Sequence, residues 1–513
     1  MSFVRLLMIV GTVFGLGAVH AQFSGIHFAA ASGSPEEIRE LLAAGADIEA
    51  RNAQSWTPLM QAVFSGPLEN VHALVEAGAD LDARHDGGAT ALTLAVSSGV
   101  DRVIALLDAG ASTEIRSNAG LTPLMFGVML DKVESVAALI RAGANVEARD
   151  DENRTPLFLA LHYDSPLSLQ LLIDSGAHLE ERHGPGATPL MTAIAVGSLT
   201  AVEALVRAGA DLEARDDLNW TPLITAATFG FAEAVLLLLE AGADVDARDE
   251  LGQSSLTHAV RAGSVDTVVM LLNFGANINV RYPTGETPLF TALHEGNDEI
   301  VLVLLEGGAD FEVRDRDGRS PLFIASYYNS VGSLDALIEA GASIEARDMF
   351  GMSPLSLAAG LTGSSDAVRL LIDAGADLQA ATSTGWTPLF YAAAFGSIES
   401  LVALVSAGSN LDARDVDGWT PLMYAALEGR LAHVRVLLDA GARADISTPD
   451  GYTALIIAAG SGAADVVEQL LDAGADPHAR HRDGFTALEY SQMLGDTLHG
   501  TDAYWRLNDA RFQ

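Results

Sequence analysis

The stretch "DVDGWTPLMYAALEGRLAHVRVLLDAGA", Asp415 to Ala442, decides the fold. Its opening phrase returns 33 residues later as "TPDGYTALIIAAGSG" (Thr448 to Gly462). It also stands about 33 residues earlier as "TSTGWTPLFYAAAFG" (Thr382 to Gly396). The Thr or Ser of the phrase can be followed along the chain, from Thr57, Thr90, Thr122, Thr155, Thr188 and Thr221 to Ser254 and Thr287. It continues through Ser320, Ser353, Thr387, Thr420 and Thr453 to Thr486. Eleven of the thirteen spacings are 33; Thr90 to Thr122 is 32 and Ser353 to Thr387 is 34. Both lapses are expected between the two helices of a repeat, where one residue is easily absorbed. A half-unit, Phe28 to Asp47, precedes the series.

Each unit reads the same way. Thr or Ser before Pro is a helix N-cap with Pro at the first helical position. In the quoted stretch the first helix turns Leu422, Ala425 and Ala426 towards its neighbours, and the small alanines admit an adjacent repeat. Gly429 ends it with a left-handed cap. The second helix carries Val434, Leu437 and Leu438 at i, i+3 and i+4, one apolar face, and Gly441 stops it. The stretch between units is short and polar-tipped, which suits a β-hairpin. Helices of eight to ten residues are not stable alone. Each can bury its apolar face only against the next unit, so the repetition makes one continuous core.

A 33-residue unit with Thr-Pro-Leu, then Ala-Ala, then a helix ending Leu-Leu-x-x-Gly-Ala-Asp resembles the ankyrin repeat. The resemblance covers Gly25 to the C-terminus. It implies an all-α solenoid of about 14 repeats, each a helix-turn-helix with a short β-hairpin. It also implies, after a signal peptide at 1–21 read from the N-terminal residues, an N-terminal capping repeat at 22–51, an array at 52–484 and a C-terminal capping repeat at 485–513. The family pattern has His three residues after the Thr, where it joins a hydrogen-bond network between repeats. In the fourteen units that place holds residues such as Met60, Met125, Phe290, Phe390 and Ile456, and never His. Greasier packing is expected there instead. The tail "GTDAYWRLNDARF" (Gly500 to Phe512) resembles the closing helix of exported bacterial ankyrin proteins.

The address is read from the N-terminus. Arg5 supplies a positive n-region, and Leu6 to Val19 is an apolar run of 14 residues, short for a membrane span. Val19 and Ala21 suit a cleavage site, with Gln22 as the mature N-terminus. Export to a periplasm or out of the cell is expected, without membrane insertion after cleavage. Cysteine is absent, which excludes disulfides, a thiol nucleophile and lipoprotein anchoring. The net charge is −39, and Lys132 is the single lysine. Such a field repels phosphate backbones and anionic lipid, so nucleic acid is not an expected partner. The acidity fits either ordinary surface solvation or adaptation to high salt.

Signs of chemistry are few. "DRDG" (Asp315 to Gly318) and "DVDG" (Asp415 to Gly418) start like calcium loops but lack the further oxygen ligands and the closing Glu, so they read as turns. His178 with His183, and His478 with His481, lack the convergent ligands of a zinc site and read as incidental surface histidines. No nucleophile elbow, phosphate loop or zinc-protease helix occurs. No metal, cofactor or catalytic residue is expected.

Aromatic side chains are the non-random feature. Trp56, Trp220, Trp386 and Trp419 share one register, just before the Thr, and Tyr452 holds the same place. Phe64, Tyr163, Phe229, Tyr328 and Phe395 form a second register late in the first helix. In the ankyrin family both places face the concave groove. Trp386, Trp419 and Tyr452 are expected to be partly exposed there. The rows suit recognition hot spots as well as ring packing on neighbouring turns. The expected function is an exported, monomeric, non-enzymatic scaffold binding a protein with a basic surface. The alternative is a glycan or peptidoglycan-fragment binder, whose aromatics would be paired with polar side chains that reach hydroxyls.

Overall fold

The computed structural model describes residues 25–510. The expected signal peptide, residues 1–21, lies outside the described residues, as does Phe512 of the closing segment. The chain divides into two compact units, Met1–Glu250 and Leu251–Gln513. Among the described residues the first holds seven helix pairs and the second eight. The half-unit at the start is a full pair, Gly25–Ser32 and Pro35–Ala43.

In all fourteen later units the first helix begins at the residue after the marker Thr or Ser. Eleven of the fourteen marker side chains accept a hydrogen bond from the backbone N–H three residues on. Each bond satisfies a donor that the helix itself cannot pair. The Thr287 and Thr387 hydroxyls are buried without a partner. The leucine two residues after the marker is buried in every unit, from Leu59 to Leu488. Leu422, Ala425 and Ala426 are buried as expected, and so are Val434 and Leu437. Leu438 is only half-buried, so the core-facing stripe of that nine-residue helix is narrower than the spacing suggested. His433 joins it instead, buried, with Nε2 3.2 Å from the Gly396 carbonyl.

The two irregular spacings fall where expected. After Thr90 a single residue, Gly99, links helix Ala91–Ser98 to helix Val100–Asp108. Its φ of +135° is open only to glycine at low cost. After Ser353 four residues separate helix Pro354–Gly360 from helix Ser365–Asp373.

The β-hairpin expected in each repeat is not formed. No strand occurs among the described residues, and two isolated bridges, His183 with Ala187 and Ser447 with Thr453, are the nearest approach. The segment is a tight turn instead. In the quoted stretch Asp415 N–H donates to the Trp419 carbonyl (3.1 Å) and Gly418 N–H to the Asp415 carbonyl (3.0 Å). Helix entry at Pro421 follows at once, so the arms are too short to pair further.

Three side-chain roles replace a ladder. First, a polar residue five before the marker folds its side chain over the turn amides. Asp415 Oδ1 accepts from Asp417 N (3.0 Å) and Trp419 N (2.8 Å), and Asp315 accepts from Asp317 N and Arg319 N, both at 2.9 Å. Second, an acidic or amide side chain accepts the backbone N–H of the next repeat. Glu49, Asp82, Glu114, Glu147, Glu180 and Glu213 do so without a gap, at 2.7–2.9 Å. Third, arginine six before the marker binds carbonyls. Arg314 reaches its own turn at Gly318 (2.9 Å) and the next repeat at Arg347 (3.0 Å). Arg51, Arg215 and Arg347 make the same double contact. Twelve of the fourteen units carry arginine at this place. A planar fork with several donors suits two carbonyls, which a lysine ammonium does not span as well. The arginine-for-lysine bias and part of the acidity are therefore joints between repeats.

The histidine place behaves as its residue types imply. Met60, Met125, Phe290, Phe390 and Ile456 are each fully buried. The first pair differs: His27 stands three residues after Ser24, in the register of the series. It is buried, with Nε2 2.8 Å from the Trp56 carbonyl. In the second unit a tyrosine supplies a comparable link. Tyr282, buried, donates its hydroxyl to Thr257 Oγ1 at 2.8 Å, across to the neighbouring repeat.

Candidate functional site

The turns and first helices of the second unit bring a run of rings together. Trp386 follows the turn closed by Thr382, whose hydroxyl accepts its N–H at 3.2 Å. Its indole lies 5.0 Å from Tyr391, 5.8 Å from Phe390 and 5.9 Å from Phe395, and 4.6 Å from Tyr424 of the next repeat. Tyr424 also lies 5.0 Å from Trp419, so it bridges the two tryptophans. Its hydroxyl donates to Asp415 Oδ2 at 3.0 Å. Burial, then the Asp415 carboxylate, pushes that phenol up to about 12. Further along, Tyr452 stacks on His481 (5.1 Å, 16°) and meets Tyr490 edge-on at 5.6 Å, while Phe485 lies 5.4 Å from His481.

Trp386, Trp419 and Tyr452 are each half-buried, so each keeps part of its surface open, as expected. Phe395 is 52 % exposed. Trp386, Phe395 and Trp419 belong to one ring system, and Tyr452 to a second. The remaining sequence candidates are not gathered into either. Trp56 is 5 % exposed, covered edge-on by Phe64 at 5.0 Å. Its register is filled by packing in that repeat. Phe64 stands seven residues after its marker, whereas Tyr163, Phe229, Tyr328 and Phe395 stand eight after theirs. That one-residue offset turns it onto Trp56 and removes it from the second register. Trp220 is half-buried, its N–H held by Asp216 at 2.8 Å. Tyr163 is half-buried beside His162, and Phe229 is exposed. Tyr328 is exposed, with its hydroxyl 3.2 Å from His294 Nδ1.

Sequence reasoning missed Tyr391, Tyr424 and Tyr490. All stand four residues after the marker, one helical turn in and on the side of the pre-marker residue. That spacing was the available signal. It also misplaced two histidines. His183 and His481 are buried, because they occupy the turn-closing place five before the marker. His481 Nδ1 accepts the Asp483 N–H there, at 3.1 Å. Burial holds His183 below the ordinary imidazole range. His178 and His478 are exposed.

The Asp415 carboxylate beside the rings is already engaged. Both Asp415 oxygens are taken up by turn amides and Tyr424. Asp315 is likewise occupied by its turn and by Arg319 at 2.7 Å. No cluster of three or more His, Asp or Glu suited to a metal ion occurs among the described residues. A groove of 480 Å³ lies between helices Ser365–Asp373 and Ile398–Ser406, lined by Ile372, Ile398, Val402, Arg369, Asp373 and Glu399. It holds no nucleophile paired with a base. Among the described residues no helix is long and apolar enough to cross a membrane.

Comparison with known families bears on the whole architecture. The family model described as ankyrin repeats (3 copies) matches residues 4–85, 26–117, 92–183, 126–216, 169–249, 190–282, 256–348, 346–415 and 400–481. The chain belongs to the ankyrin-repeat family. Repeats of this kind indicate a protein–protein interaction scaffold, generally without catalysis. No curated protein matches the chain.

Proposed function

We propose that this protein is an exported, monomeric, non-enzymatic scaffold that binds a basic protein on the face made by its turns and first helices. Trp386, Phe395, Trp419 and Tyr452 would form the centre of that contact. The observation that carries the reading is the ring system around Trp386 and Trp419. It spans neighbouring repeats, is locked by mutual contacts, and keeps half-open surface. Rigid, partly open tryptophan and tyrosine side chains are what interface hot spots use. The surrounding charge favours a basic partner, because the chain carries 68 acidic against 29 basic side chains.

The engaged Asp415 carboxylate speaks against the glycan alternative. A sugar site needs free carboxylates, amides or guanidinium groups beside its rings, whereas Asp415 is occupied from both sides. Export rests on the pattern of residues 1–21.

Affinity capture from the native envelope fraction, with the wild-type chain and Trp419→Ala side by side, tests this reading. A basic protein retained by the first and lost by the second supports it. Retention by both, or binding of a glycan in place of a protein, overturns it. N-terminal sequencing of the mature protein checks export, with Gln22 as the expected first residue.

A further inference from the structure

The ends of the first helices in the second unit carry a patterned row. Eight residues after the marker, five successive repeats hold Glu295, Tyr328, Leu361, Phe395 and Glu428. Tyr328 is the last residue of its helix, and the other four are C-caps. Tyr328 is 46 % and Phe395 52 % exposed, with Leu361 half-buried between them. Glu295 and Glu428 are exposed at the two ends, and neither has an ion-pair partner within 4 Å among the described residues. Each place also receives the partial negative charge of a helix C-terminus.

We infer that this row docks an amphipathic α-helix of a protein partner, with an apolar residue at every seventh position and lysine or arginine beyond both ends of the apolar run. The inference rests on the protein-binding reading and names the partner's shape. Repeats stacked one helix diameter apart lie at ~10 Å spacing, and seven residues of α-helix rise about 10.5 Å. One apolar side chain of the partner therefore meets one ridge residue per repeat. From Glu295 to Glu428 is four such steps, ~40 Å, or about 27 helical residues. The charges at the row's ends select the sign of the partner's ends.

Backbone hydrogen bonding disfavours an added strand here. The row offers no sheet edge, since no strand occurs among the described residues, so strand addition has no template. A polyproline segment can dock on an aromatic row with its backbone left in solvent, and it is the competing shape that the test below includes. A helix satisfies its backbone polar groups internally. Gly296 and Gly363, next to the ridge, have nothing within 4 Å of where a Cβ would stand, which leaves room for partner side chains. The first unit has an apolar row at the same register, Leu130, Tyr163, Val196 and Phe229, but Ser98 precedes it in place of an acid. It therefore serves as an internal control.

The test uses the full chain and three labelled 28-residue peptides of matched charge, read by fluorescence anisotropy at ~0.15 M salt. The first is helical with leucine at every seventh position and lysines in its end turns. The second has the same composition with leucine at every fifth position. The third is proline-rich with leucine at every third. The first should bind at least tenfold more tightly than the others. Glu295→Gln with Glu428→Gln should weaken it about tenfold and flatten its salt dependence. Tyr328→Ala should weaken it at least tenfold with unchanged circular dichroism, and Val196→Ala should leave it unchanged. Equal binding of the first two peptides, tightest binding of the proline-rich one, no binding, or indifference to the glutamate changes overturns the inference. If the peptide fails while Trp419→Ala still abolishes native capture, the scaffold reading stands and the helix does not.

Discussion

Trp386 and Trp419 share a register but not an environment, and replacing each by alanine should separate packing from binding. Trp386 meets four rings within 6 Å: Phe390, Tyr391, Phe395 and Tyr424. Trp419 meets one, Tyr424 at 5.0 Å. Both are half-buried, so the loss of apolar area is similar, about 1–2 kcal/mol each for a part-covered side chain. Each aromatic pair adds about 0.5–1.5 kcal/mol beyond area. Trp386→Ala should then cost ~3–8 kcal/mol and Trp419→Ala ~1.5–3.5 kcal/mol. The ring system lies within a few repeats, so local methods are needed. Hydrogen exchange over helices Pro388–Ala394 and Pro421–Leu427 should rise strongly for Trp386→Ala and little for Trp419→Ala. Equal exchange in the two variants, or a neutral Trp386→Ala, would refute the view that Trp386 is the keystone of the cluster. Trp419 is accordingly the cleaner probe of binding.

Tyr282 gives an alkaline signature. Burial pushes its phenol up to about 12 from an ordinary ~10. The folded state holds the proton more tightly, so up to about 2.7 kcal/mol present below pH 10 should be lost between pH 10 and 12. Tyr282→Phe forfeits the Thr257 bond, about 1 kcal/mol at pH 8, but its deficit should shrink and reverse as pH rises. Denaturant melts at pH 8 and 11 check this, and a constant deficit contradicts it. Ser55 holds φ +59° at a turn place that glycine or asparagine fills in the other thirteen units. Ser55→Gly should stabilise by about 0.5–1 kcal/mol, seen as a higher melting midpoint. Gly385→Ala should destabilise, because its φ is +86° and a Cβ would stand 2.9 Å from Asp415 Cα. Raising salt from low to ~1 M should lift the midpoint by several degrees, since screening relieves the repulsion of the −39 charge. A flat or falling midpoint would contradict this and leave the acidity as ordinary surface solvation.

Much of this fold was legible because its signals are local and repeated. A Thr or Ser, followed by Pro in ten of the fourteen units, marks each first-helix start, in eleven units through a cap bond that involves only four residues, and the buried leucine two places on follows from the same geometry. The 32 and 34 spacings were placed correctly for the same reason. The turn misled, because alternating short polar segments read as hairpin arms while the chain enters the helix too soon to pair them. His183 and His481 were misjudged because a histidine can close a turn as Asp415 does, and residue type alone does not say so. At the candidate site the pre-marker tryptophans were visible as a column. Tyr424 was not, since its meeting with Trp386 depends on how one repeat's cap lies against the next repeat's first helix turn, whereas Tyr391 lies in Trp386's own repeat and its spacing went unread. Trp56 shows the converse: the right residue at the right place, closed over by Phe64, whose offset of one residue looks trivial in the sequence.

The most direct measurement of the central claim is site-specific photo-crosslinking in the native envelope fraction. A photoreactive phenylalanine analogue would stand at position 419, on the turn face, or at 402, on a second helix. A single protein adduct from position 419, absent from 402 and lost when Tyr452→Ala is added, is the predicted result. Adducts of equal yield from both positions, or none from 419, would contradict the assignment of this face as the partner-binding surface.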